Sequence, residues 1–155
     1  MKAMRLALQF VPVLCCGLAL AEYERIDITP IHDKIGIRLH QKFAIVFDQR
    51  GKRLINPRLI NTATKQPVIM GEFLEHKGIK MLIIQSTFPK MVRYHAAARG
   101  VGRRDYHRVN RMFGLTPNVA VSEGFQDPIE EFLLYDFTLT NEKLDSTRTN
   151  ETIGW

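Results

Sequence analysis

The chain has two cysteines, Cys15 and Cys16, side by side near its start, and its single tryptophan is the last residue, Trp155. Beyond residue 21 there is no cysteine at all. A domain made from that part has no disulfide, no thiol nucleophile and no cysteine-ligated metal. It must be held by its core alone. Also missing are a long stretch of helical periodicity, an internal repeat, a low-complexity block and a second apolar run like the first. No HExxH or GxSxG motif occurs, and Gly100-Val101-Gly102 lacks the further glycine and lysine of a phosphate loop. A tight turn explains it. Glu130 and Glu131 are adjacent and do not form the separated carboxylate pair of glycoside hydrolysis.

The first apolar run has a definite layout. Lys2 and Arg5 precede Leu6 to Leu20, which is apolar apart from Gln9 and is broken by Pro12 and Gly17. Ala19 and Ala21 flank Leu20 in the small-x-small pattern of a signal peptidase site, so residues 1–21 read as a signal peptide cut after Ala21. A membrane anchor would need about 20 apolar residues without such breaks. A lipoprotein would need a small residue before its acylated cysteine, and Cys15 follows Leu14 while Cys16 follows Cys15. The expectation is an exported protein, periplasmic or secreted, with no transmembrane span after cleavage. Loss of Lys2 and Arg5 lowers the formal charge from +6 to about +4. That is a mild basic excess, weak as a sign of nucleic acid, which an exported protein rarely meets.

The remaining chain, about 134 residues, suits one domain over 22–140. The polar stretch 141–155 reads as a disordered tail. Within the domain, apolar and polar residues alternate with period two. Ile35, Ile37 and Leu39 alternate with Lys34, Gly36 and Arg38, and Val92, Tyr94, Ala96 and Ala98 with Arg93, His95 and Arg99. Further strands are expected over 43–47, 53–60, 67–70, 79–86, 103–110, 118–121 and 132–139. Pro57 argues for an edge or a bend. Tyr135, Phe137 and Leu139 share one side of the last strand in this reading. Asp127, Pro128 and Glu130 match a helix start, so a short helical turn is expected near 127–131. Tyr94-His95-Ala96-Ala97-Ala98 resembles the Tyr-x-Cys-x-Ala run of an immunoglobulin-type sixth strand, with Ala96 in the cysteine place. It covers five residues and implies topology only. The fold expected is an all-β, immunoglobulin-like antiparallel β-sandwich of about seven or eight strands.

The strongest local signal is charge. Between residues 90 and 111, Arg93, Arg99, Arg103, Arg104, Arg108 and Arg111 join Lys90 against Asp105 alone, with Tyr94, His95, Tyr106 and His107 interleaved. Guanidinium groups beside aromatic rings hold phosphates, sulfates or stacked bases. The binding set expected is Arg93, Arg99, Arg103, Arg104, Tyr106, Arg108 and Arg111. A competing reading is internal pairing, because residues 123–145 carry a matching excess of acid. His95, Asp105 and His107 could gather as two imidazoles and a carboxylate, as in a metal-dependent hydrolase, but the surrounding arginines repel a cation. No metal and no cofactor is expected. The leading expectation is a non-catalytic binding or accessory protein of the cell envelope, with a protein or an anionic envelope component as partner. An inhibitor or immunity-type protein against an exported enzyme, and a structural subunit of an envelope assembly, are the alternatives.

Overall fold

The computed structural model describes residues 23–109 and 113–141. The segment 1–21 read as a signal peptide, Arg111 and nearly all of the polar tail lie outside them. The described chain forms β1 (Arg25–Ile26), β2 (Lys34–Arg38), β3 (Gln41–Arg50), β4 (Arg53–Ile60), β5 (Ile69–His76), β6 (Ile79–Ser86), β7 (Met91–Gly100), β8 (Tyr106–Arg108), β9 (Phe113–Leu115), β10 (Ala120–Phe125) and β11 (Ile129–Thr140). They make one antiparallel sheet in the order β1-β8-β7-β11-β4-β3-β5-β6-β10, with β2 also on β11 and β9 also on β7. No described residue is helical, so no described segment is a helix long and apolar enough to cross a membrane.

The sheet doubles over on itself, and its two halves bury a shared core. Phe73 on β5 meets Phe132 on β11 at 4.7 Å between ring centroids, and Phe47 on β3 meets Phe137 at 4.7 Å. The result is the expected all-β sandwich, with eleven strands rather than seven or eight. Tyr94, which carries the immunoglobulin-type resemblance, lies in this core stacked on Phe137. The strand over 67–70 extends to His76, and the turn falls at Lys77-Gly78, where Gly78 has a φ of 81°.

Two irregularities position the rest. Opposite β3, the register of β4 moves from Val46↔Arg58 to Asp48↔Ile55, and Asn56 takes a φ of 51°. This bulge carries Pro57, as a proline inside a sheet requires. In β11 the register on β7 moves from Tyr135↔His95 to Thr138↔Arg93, and Asp136 takes a φ of 54°. The extra residue reverses the facing of the strand. Phe132 and Leu134 point to the core before it, and Phe137 and Leu139 after it. Tyr135 therefore does not share a face with Phe137 and Leu139. It lies on the opposite side, in a small second core with Ala97 and Leu133. The segment after Tyr23 packs Ile26, Ile28 and Ile31 onto that second core.

The helical turn expected near 127–131 is absent. Ile129 already pairs with Gly100, and the Val101 amide donates to the Pro128 carbonyl at 2.7 Å. Capping signals worth about 1 kcal/mol are outweighed by a ladder that buries Ile129 and Phe132 completely.

Candidate anion-binding face

On β7, Val92, Tyr94, Ala96 and Ala98 belong to the main core. By alternation Arg93, His95, Ala97 and Arg99 lie on the outer face. The register of β8 on β7, Ala97↔Arg108, Ala98↔His107 and Arg99↔Tyr106, brings Tyr106 and Arg108 onto the same outer face. The charged hairpin expected from sequence is thus real, and strand parity sorts its members.

One end of this face is neutralised within the fold. Arg99 lies opposite Glu131 on β11 and opposite Tyr106 on β8. Its guanidinium donates to Glu131 Oε2 from both Nε (3.2 Å) and Nη2, and forms an ion pair with Glu130. The Tyr106 hydroxyl donates to the same Glu131 oxygen at 2.9 Å. Hydrogen bonding to Glu131 raises the Arg99 pKa, and burial first, then the carboxylate, raise that of the Tyr106 phenol. Gly36 on β2 lies against this carboxylate, and a Cβ there would overlap Glu131 Oε1. Arg99 and Tyr106, both in the expected binding set, belong to this structural network. The expected pairing of the basic and acidic segments is realised here.

The other end is different. His95 faces Tyr135 across the ladder, their rings stacked 5.5 Å apart at 23°. Arg108 lies one row along, opposite Ala97. His95 Nδ1, Arg108 Nε and the Tyr135 hydroxyl are all buried and make no well-aligned hydrogen bond among the described residues. Burial raises the Tyr135 pKa, and the Arg108 guanidinium beside the hydroxyl opposes that rise through its charge and its N–H groups. Glu24, largely exposed, approaches Arg108 Nη1 at 3.7 Å. Arg93 shares this face at the next outward position, opposite Thr138. Arg103 and Arg104 are exposed in the connection between β7 and β8.

The two-histidine, one-carboxylate set does not assemble. His107 lies on the inward parity opposite Ala98, its Nδ1 3.0 Å from the Tyr23 carbonyl oxygen, while His95 lies on the outer face. Asp105 pairs with Arg25 at 2.8 Å. Among the described residues no group of three His, Asp or Glu side chains is placed to hold a metal ion. The reason is parity, since His95 and His107 occupy opposite faces of one sheet.

One residue escaped the sequence reading. Glu123 on β10 belongs by position to the acidic excess of 123–145, which the sequence offers as pairing partners for the basic segment. It shares the inward parity of Val121 and Phe125, and its Oε1 is buried without a partner. Burial pushes its pKa up to about 7, and its charge in turn adds to the rise that burial imposes on the Tyr94 phenol. The period-two pattern of β10, with Val121 and Phe125 on either side, is the signal that locates it.

Fold and face together define the class: an all-β sandwich with a basic, aromatic patch on one outer face. Compared with known proteins, the chain matches no family model, no curated protein and no solved structure.

Proposed function

We propose that the protein is an exported, non-catalytic binding module that engages an anionic partner, a protein or an envelope component, through the outer face of β7 and β8. The observation that carries this reading is the unequal use of the arginines. Arg99 is taken up by two carboxylates, whereas Arg103 and Arg104 are exposed and the acid nearest Arg108 among the described residues is the exposed Glu24 at 3.7 Å. Exposed pairs of that kind exchange readily with an outside anion. The export part of the reading rests on the Lys2–Arg5, apolar core and Ala19-Leu20-Ala21 layout of the sequence.

The test is retention on an immobilised sulfated polymer, eluted by salt. Arg103→Gln, Arg104→Gln and Arg108→Gln together should elute at clearly lower salt than a charge-matched control, Lys42→Gln, Lys52→Gln and Lys65→Gln, because clustered cations set the salt dependence. Equal elution of the two triple variants would reduce the effect to net charge and remove this face from the account.

A further inference from the structure

We infer that His95, Arg108 and Tyr135 form a pocket for a carboxylate carried by an acidic polypeptide, and that Glu24 is its internal competitor. This rests on the reading of the outer face as a binding surface and names what that surface takes. Buried polar atoms without a hydrogen-bond partner are uncommon in folded proteins. Here three occur on one sheet face, around one stacked ring pair. Arg108 Nε–H and the Tyr135 hydroxyl are donors, and His95 Nδ1 is a donor in the tautomer that carries its proton there. A group that satisfies such a set must accept more than one hydrogen bond. A carboxylate has two oxygens and about four lone-pair sites, and it matches a guanidinium in shape.

The chain itself indicates that carboxylate is the relevant anion. Glu24 stands at the mouth of the set, 3.7 Å from Arg108 Nη1 and too far for a hydrogen bond, with its side chain 70% exposed. It neutralises the arginine from outside without satisfying Nε. The walls are apolar: Leu133 and Ala97 lie beneath, and Ile26, Ile28 and Ile31 pack against the same small core. A carboxylate on a short apolar stem, such as a glutamate or aspartate side chain, suits those walls. The backbone bearing Glu24 is fixed to β8 by the register pairs Arg25↔His107 and Ile26↔Tyr106 and by the Arg108 amide donating to the Glu24 carbonyl at 2.8 Å. The Glu24 side chain alone is loosely placed, and it can swing aside for an entering acid without the strand moving. The ligand then replaces Glu24, and its oxygens reach donors that Glu24 does not.

The experiment is a calorimetric titration of the full chain with an N-acetylated, C-amidated hexaglutamate peptide, whose only carboxylates are side chains. Arg108→Gln should weaken binding at least about tenfold, and Tyr135→Phe about threefold, through loss of charged and neutral hydrogen bonds respectively. Glu24→Gln should tighten it about two- to fivefold, because a competing exposed ion pair is weak. Near-ultraviolet circular dichroism checks that each variant is folded, and Tyr135→Phe keeps the assignment testable if Arg108→Gln is not. Wild-type binding that Arg108→Gln and Tyr135→Phe leave unchanged, but that Arg103→Gln with Arg104→Gln abolishes, would overturn the pocket while leaving the general reading in place. A tighter complex with inorganic phosphate than with the peptide would overturn the choice of carboxylate. Binding of neither would overturn the pocket and the general reading together.

Discussion

Arg99 and Arg108 lie on the same face of the same β7–β8 hairpin, in neighbouring rows, and the fold treats them in opposite ways. Arg99 is ringed by Glu130, Glu131 and Tyr106, and Gly36 leaves the room that Glu131 needs. Among the described residues Arg108 has one distant, exposed acid, and its buried Nε makes no well-aligned hydrogen bond. An arginine whose partners are fixed by strand register is part of the structure. One whose donors are in place but unused is available to a ligand. The same rule separates two acids of β10 and β11. Glu131 is held by Arg99 and Tyr106, while Glu123 faces inward from β10, partly buried, with one buried oxygen unsatisfied among the described residues.

The largest effect that sharpens this contrast belongs to Glu123. Its pKa is about 7 in the fold, against an ordinary value of 4.5. Below pH 4.5 the group is protonated whether the chain is folded or not, and it has no effect. As pH rises to 7 the unfolded chain ionises and the folded one resists, so stability falls, by ~3 kcal/mol in all. Above pH 7 both forms are ionised and the loss stays constant. Glu123→Gln should remove this pH dependence. Urea unfolding at pH 4.5 and pH 8 measures it, and a wild-type stability that is flat or rising over that interval would refute the buried-acid assignment.

Next comes Arg99. Arg99→Gln leaves Glu130 and Glu131 without their common counter-charge, and the cost expected is ~2–3 kcal/mol for hydrogen bonds to charged groups in a partly buried setting. Affinity for the acidic peptide should change little once the variant is folded. The smallest effect on stability belongs to Arg108→Gln, within ~0.5 kcal/mol in chemical unfolding, because its ion pair with Glu24 is exposed and long. If Arg108→Gln were as destabilising as Arg99→Gln, the two ends of the face would not differ and the contrast would collapse.

Much of the fold is legible in the sequence, because period-two alternation and turn residues are local signals. The boundaries of β4 and β6 follow from the apolar pattern at 53–60 and 79–86, and Pro57 marks the bulge in β4. What local signals cannot supply is pairing. β1 and β9 have two and three residues, too few to show a pattern, and exist only because β8 and β7 offer edges. Asp136 carries no glycine-like mark of a positive φ, yet its bulge turns Tyr135 away from Phe137 and onto the outer face. Asp127-Pro128 reads as a helix start until β7 captures Ile129. The charged hairpin was visible as composition. Which arginines were paired, and that His95 and His107 lie on opposite faces, depended on register. Glu123 hid in a tally of charges, although its neighbours Val121 and Phe125 already implied an inward position.

The most direct test of the central contrast is to follow the arginine Nε–H resonances by NMR while hexaglutamate is added. The account predicts that the Arg108 Nε–H signal moves downfield and exchanges more slowly with water, while that of Arg99, already bonded to Glu131, stays in place. A shift at Arg99 with none at Arg108 would contradict it.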